Sequence, residues 1–274
     1  MESILIQRLD GTKYNLDEMD FRVISFDPPS PNYQYTYTQI HELKATRTNT
    51  QIQQTTAPLV IQIKAHDVYD YELQRLRLMK IFASYEDFYV YNMRTPFIRW
   101  RVRAQAFEVP RLSNFWFSQA ITINLDYEDG FAESVSLSSE ENFTKSDGKW
   151  GFGMNIPRDR DITYHFGSSN TFDVWNLGVI PLYADERPVL YEFKGNVASQ
   201  LVITNKTTGQ TFQLYRALNT GNTFQLYGMK PVIDSQGVYA NGNHAYLDLA
   251  VGKNEFEIIG ATDWTLSVST RFYY

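Results

Sequence analysis

Leu59, Ile61, Ile63 and Ala65 alternate with Gln62 and Lys64. Ile121, Ile123, Leu125 and Tyr127 alternate with Thr122, Asn124 and Asp126, and Trp264, Leu266, Val268, Thr270 and Phe272 with Thr265, Ser267, Ser269 and Arg271. A β-strand sends successive side chains to opposite faces, so a strict two-residue period marks a strand with one dry face. The period recurs from one end of the chain to the other and restricts it to sheet architectures. Aromatic residues make up 15% of the sequence, with 19 Tyr and 18 Phe, and these side chains suit half-buried strands. The expectation is a mainly β protein.

One segment breaks the period. In DYELQRLRLMKIFASY, Leu73, Leu76, Met79 or Lys80, and Phe82 or Ala83 recur at three- and four-residue spacing. That spacing predicts one amphipathic helix near 70–83, packed on a sheet, with Asp70 placed to cap its first turn. The stretch from Asp126 to Gly153 is rich in Ser, Glu, Asp and Gly, and its apolar residues are too scattered for a long element. A domain boundary is expected near Phe131. Residues 1–131 then form a β-domain with the helix, and 132–274 an all-strand domain whose last strand, 264–273, is tied into a sheet and returns toward the first domain. Lys44 to Ala57, KATRTNTQIQQTTA, reads as a solvated hairpin, or as an arm reaching a neighbour.

The sequence also says nearly the same thing twice. TGQTFQLY at Thr208–Tyr215 is followed by TGNTFQLY at Thr220–Tyr227, with Gln210 against Asn222 the one difference. Two copies are too few for a solenoid, which needs about three to bury a continuous core. Each copy fits a turn supplied by Thr-Gly and a short strand, with Phe212 and Leu214, or Phe224 and Leu226, on the apolar side. The first copy should form a hairpin with Leu201–Thr204 around Asn205–Gly209.

Chemistry is sparse. There are no cysteines, which excludes disulfides, thiolate metal sites and cysteine nucleophiles. The four histidines, His41, His66, His165 and His244, show no metal-binding spacing. No nucleophile elbow or phosphate-binding loop is present. The glycine cluster at Gly148–Gly153 lacks a following helix. Acidic pairs such as Asp159 with Asp161 and Asp185 with Glu186 read as solvated turns. The expectation is no enzyme, no cofactor and no metal. A formal charge of -6 argues against a specific nucleic-acid partner and against anionic membranes. No run approaches the roughly 18 apolar residues of a membrane span, and MESILIQRLDG lacks an apolar core of signal-peptide length.

Two groups remain as candidate sites. Arg99, Arg101 and Arg103 share one face of a strand whose other face carries Ile98, Trp100, Val102 and Ala104. Such a row suits pairing with carboxylates at a subunit interface; a phosphate-lined passage is the alternative. Trp150, Trp175 and Tyr183 are candidates for stacking on a sugar.

The order of short motifs in the second half is familiar. Phe172-x-Val174-x-Asn176-x-Gly178, Pro188-x-Leu190 running to Gly195, Asn205-x-Thr207-Thr208-Gly209 and Gly252-x-Asn254-x-Phe256 follow one another, with the doubled strands between. This order, with the single helix and the Arg-rich strand upstream, resembles the distal tail proteins of long-tailed, non-contractile bacteriophages over essentially the whole length. The resemblance implies a ring-forming N-terminal β-domain and a galectin-like or carbohydrate-module-like C-terminal β-sandwich. It implies a homohexamer, or a dodecamer of two stacked rings, that joins the tail-tube protein to the tail-tip or tail-associated lysin protein. Receptor-binding proteins would be anchored on it. The protein would act in the virion tail tip after assembly in the host cytoplasm. The competing expectation is a carbohydrate-binding module recognising a host cell-wall glycan through the C-terminal domain.

Overall fold

A computed structural model describes residues 3–112, 117–140, 143, 149–167 and 169–274. The chain divides into two compact units, Met1–Glu133 and Ser134–Tyr274. The fold is mainly β. Of the glycine cluster named above, Gly148 lies outside the described residues.

The first unit contains β1 (Ile4–Arg8), β2 (Lys13–Asn15), β3 (Phe21–Phe26), β4 (Asn32–His41), β5 (Lys44–Gln53), β6 (Thr55–Ile63), α1 (Val68–Ile81), β7 (Phe88–Asn92), β8 (Ile98–Ala104) and β9 (Ile121–Tyr127), and the short β10 (Glu133–Ser134) lies at the division. Its main sheet runs β2-β1-β7-β8-β9-β6-β3, while β4 and β5 pair only with each other. The two-residue period sorts the faces as expected. Leu59, Ile61, Ile63, Ile121, Ile123 and Leu125 are buried, and they join Ile4, Ile6, Phe88 and Val102 in one core.

The helix forms where the spacing places it, but it presents the other stripe. Tyr71, Gln74, Leu78 and Ile81 are the buried positions, while Leu73 and Leu76 are exposed. Both stripes recur at helical spacing, and the sheet takes the one that offers Tyr71 and Ile81. The cap also differs. Asp67 is the N-cap and accepts from the Asp70 N–H at 2.8 Å, while Asp70 reaches back to the His66 N–H at 2.9 Å. The two carboxylates satisfy two free donors reciprocally. At the far end, Arg8 donates to the carbonyls of Ile81 and Ala83 and pairs with Glu86 at 3.1 Å, which complements the negative end of the helix dipole.

The second unit contains β11 (His165–Phe166), β12 (Thr171–Asn176), β13 (Leu190–Asn205), β14 (Gln210–Leu214), β15 (Phe224–Tyr227), β16 (Lys230–Ile233), β17 (Gln236–Gly237) and β18 (Gly252–Ser269). Two long strands organise it. β13 and β18 pair antiparallel along most of their length, with register shifts between Lys194 and Asn196 and between Val197 and Val202. At the second shift Gly260 has φ of +86°, and a Cβ there would meet the Gln200 carbonyl oxygen at 2.1 Å, so only glycine fits.

The doubled sequence resolves onto this frame. β14 pairs with Leu201–Asn205 of β13, and β15 with Leu190–Phe193 of the same strand. The copies therefore serve two halves of one long strand, and Phe212 stacks on Phe224 with centroids 5.6 Å apart. The chain end is tied down within this unit. Ser134 N–H donates to Phe272 O at 2.8 Å, and Ser138 N–H donates to Thr270 O at 2.9 Å. Ser134 and Ser138 hydroxyls accept from Phe272 N–H and Thr270 N–H in return.

Candidate interaction surfaces

β8 carries the arginine row, and the structure divides it. Arg99 is buried beside Trp100. Its guanidinium meets Glu133 at 2.6 Å, accepts company from the Tyr89 ring at 3.6 Å, and donates to Tyr91 Oη at 3.2 Å. Burial opposes the charge on Arg99, but the Glu133 carboxylate and the Tyr91 hydroxyl outweigh it and hold the proton more firmly than usual. Arg101 and Arg103 are half in solvent and converge on one carboxylate, Asp87. Burial pushes the Asp87 carboxyl up, yet hydrogen bonds and charge from Arg103 and Arg101 win and hold it below the ordinary value. Sequence alternation put the three arginines on one face. It gave no sign of Asp87 or Glu133 as their partners, or that Arg99 would lie inside.

A cleft of about 490 Å³ is lined by Asp87, Arg101, Val102, Arg103 and Tyr127. Gln54, Asp126 and Glu128 complete it. Val102 and Tyr127 turn their side chains to the core on the opposite face of the sheet and are closed to solvent.

The β4–β5 hairpin stands beside this cleft, rooted at Gln54. Asn32 Nδ2 donates to the Gln54 carbonyl at 3.3 Å. Its cross-strand register sets Tyr33 against Ile52, Tyr35 against Thr50 and Tyr37 against Arg47 on one face, with Arg47 over the Tyr35 ring. Gln34, Thr36 and Thr38 pair with Gln51, Asn49 and Thr46 on the other. The tyrosine face is open: Tyr33, Tyr35 and Tyr37 are 44%, 47% and 59% exposed.

The stacking candidates separate. Trp150 is 1% exposed, with Phe143 stacked on it at 4.6 Å and Phe272 at 6.1 Å. Its faces are occupied by the core, so it offers no platform; this corrects the sequence reading, which could not see that Trp150 turns inward while Phe152, two residues on, stays 73% exposed. Trp175 lies on β12, half-buried, with Arg160 at 5.4 Å from its ring. Tyr183 is exposed in the loop before β13. The asparagines of the short motifs are internal staples. Asn254 bonds the Ala250 N–H, the Ala250 carbonyl and the Gly252 carbonyl, Asn205 bonds the Asp248 carbonyl and Asn254 Oδ1, and Asn176 bonds the Ile180 carbonyl and the Gly178 N–H.

Among the described residues no group of three or more His, Asp or Glu side chains is placed to hold a metal ion. His165 Nε2 hydrogen-bonds the Ser139 carbonyl at 3.0 Å, and the His244 ring packs on Tyr239 at 4.3 Å.

Residues 9–127 match the family described as phage tail protein RIFT-related domain. A search of curated proteins finds no match. Among solved structures, the SPP1 Dit protein (gp 19.1), described as a paradigm of the hub adsorption apparatus in phages infecting Gram-positive bacteria, aligns with a TM-score of 0.67 at 10% identity, over 98% of this chain and 99% of that one. A chain of the phage P2 baseplate, in its activated conformation with calcium, aligns with a TM-score of 0.50 at 7% identity, over 98% of both chains. The family recognised from the motif order and the one returned by these matches agree. The family match lies within the first unit, and the chain as a whole has the fold of the SPP1 Dit protein.

Proposed function

We propose that this chain is a structural adaptor of a phage tail tip, six copies of which close into a ring joining the tail tube to the tip or lysin protein and anchoring receptor-binding proteins. The observation that carries the reading is the tail-protein domain in residues 9–127 within a chain that follows the SPP1 Dit fold over 98% of its length. The physics of the first unit favours assembly. A two-stranded hairpin is marginal in water by itself, and this one leaves a tyrosine face uncovered. The outward stripe of α1, with Leu73 and Leu76, is a second uncovered apolar surface on the same unit. A hairpin on one side of a unit and a different receiving surface on the next make a head-to-tail contact, and such contacts close into rings when the rotation allows.

Native mass spectrometry and negative-stain electron microscopy test this. Six copies, or twelve as stacked rings, are expected. A strict monomer at high concentration, with or without tail-tube protein, overturns the ring. The glycan-binding reading keeps Trp175 and Tyr183 only, and a glycan array with the Tyr183→Ala variant as control tests it.

A further inference from the structure

α1 turns a second stripe away from the sheet. Tyr69, Leu73, Leu76 and Lys80 follow one another at spacings of four, three and four, the heptad spacing at which one helix seats its side chains between those of another. Tyr69, Leu73 and Leu76 are each more than half exposed, on a helix whose opposite face is already spent on the core through Tyr71, Leu78 and Ile81. The outer surface of α1 is thus a helix seam, and no second α-helix stands among the described residues to cover it.

The charges beside the seam are lopsided. Glu72 holds two arginines, Arg75 at 3.6 Å and Arg111, which arrives from the segment between β8 and β9. Asp67 and Asp70 are engaged by backbone N–H groups at the helix start. Arg77 and Lys80 meet no carboxylate among the described residues. Cations therefore outnumber acids around this helix, in a chain whose formal charge is -6. A second copy of α1 would bring the same unmatched cations and no free carboxylate to meet them, so like charges oppose self-pairing. A helix of the opposite sign fits. We propose that α1 docks an acidic amphipathic helix of a different tail-tip protein, an assignment that takes the partner's origin from the adaptor reading above. Leucines of that helix pack between Tyr69, Leu73 and Leu76, and its flanking Glu or Asp side chains meet Arg77, Lys80 and the arginines gathered on Glu72. The 14 residues of α1 span about 21 Å, which seats about four turns of a partner. Apolar contact holds the partner and charge selects it.

The probe is a synthetic helical peptide of three heptads, with leucine at both seam positions and glutamate on both flanks; its like charges keep it from pairing with itself. Its twin carries lysine in place of every flanking glutamate. In fluorescence anisotropy the full-length protein should bind the glutamate peptide about tenfold more tightly than the lysine twin, with affinity falling as salt rises. Leu73→Ser/Leu76→Ser, at exposed positions outside the core, should weaken the glutamate peptide by about tenfold and leave ring assembly intact. Arg77→Glu/Lys80→Glu should invert the preference between the twins. Equal affinity for the twins, no binding by the wild type, or binding indifferent to both double variants overturns the docking. Loss of rings in Leu73→Ser/Leu76→Ser also overturns it, because the stripe would then join copies of this chain. A wild-type chain that forms no ring but still separates the twins sinks the ring reading alone and leaves this surface standing.

Discussion

Glu133→Gln is the sharpest probe of the first unit. The change removes one charge and keeps the side chain's shape. In the native protein the Arg99 and Glu133 side chains are 10% and 15% exposed and meet at 2.6 Å. Without the negative charge, the buried guanidinium keeps a neutral amide oxygen, the Tyr91 hydroxyl and the Tyr89 ring around it but has no counter-ion. Breaking a buried pair from one side costs about 3–5 kcal/mol. The outer pairs give the contrast. Arg101 and Arg103 side chains are 52% and 57% exposed, and solvent screening limits each to about 1 kcal/mol or less. Native-state hydrogen exchange of β7 and β8 reads the loss in the unit that suffers it. The amides of Val90 and Trp100, which face each other across this ladder, should lose protection by the full amount in Glu133→Gln and barely change in Arg101→Ala. The Arg99→Met/Glu133→Leu double variant should recover most of the stability, because no charge is then left unpaired. A loss under about 1 kcal/mol in Glu133→Gln, or a double variant as damaged as the sum of its singles, would refute the reasoning.

Gln74 faces the core from α1 with its Oε1 buried and unpaired. Gln74→Met should therefore be neutral or stabilising by about 1 kcal/mol, whereas Gln74→Glu should cost several, and urea unfolding midpoints distinguish the two. Deleting the residues after Asp263 removes Trp264, Leu266, Val268 and Phe272, all buried, together with the pairing to β13; soluble expression should be lost, and a truncated chain with unchanged stability would show the strand dispensable. The Asp87 carboxyl is held below its ordinary value of 3.8, so its contribution is present above that pH and is lost as pH falls through the lower folded value. Asp87→Asn should flatten the acid limb of the stability profile below about pH 4, and an unchanged limb would count against the shared bridge.

The two-residue period made the strands legible because each has one dry face, and the hairpin of the first doubled strand with Leu201–Thr204 was legible too, but the pairing of the second with Leu190–Phe193 was not. The helix was legible as an element but not in its orientation. Leu73–Leu76–Met79 and Tyr71–Gln74–Leu78–Ile81 both repeat at helical spacing, and the second hides a glutamine in its middle, so hydrophobicity alone favours the wrong one. The uncovered half of the arm was harder. Lys44–Ala57 is polar enough to suggest a solvated hairpin, but the tyrosines that give it a second face lie on the opposite strand, and only the register joins them. The partners of the arginine row were out of reach for a related reason. Glu133 is 34 positions from Arg99, and Asp87 is 14 and 16 from Arg101 and Arg103, distances that no local pattern spans.

That division changes what charge reversal can say about assembly. Along β8 the same residue type at two-residue spacing passes from an interior pair at Arg99 to a shared surface bridge at Arg101 and Arg103. A reversal at Arg99 would set a second carboxylate against Glu133 inside the core, and any lost ring would then reflect lost folding. Reversal confined to Arg101 and Arg103 leaves the core alone but strands Asp87 between two like charges at the lip of the cleft. A partner that reads this cleft must therefore feel the outer two arginines and be blind to the inner one. The informative comparison is Arg101→Gln/Arg103→Gln, which shortens both side chains but keeps a polar donor on each while removing both charges. If an acid from a neighbouring copy sits there, assembly weakens and becomes less sensitive to salt, with the exchange protection of β8 unchanged. If assembly is untouched, the row is a structural brace of its own unit from one end to the other.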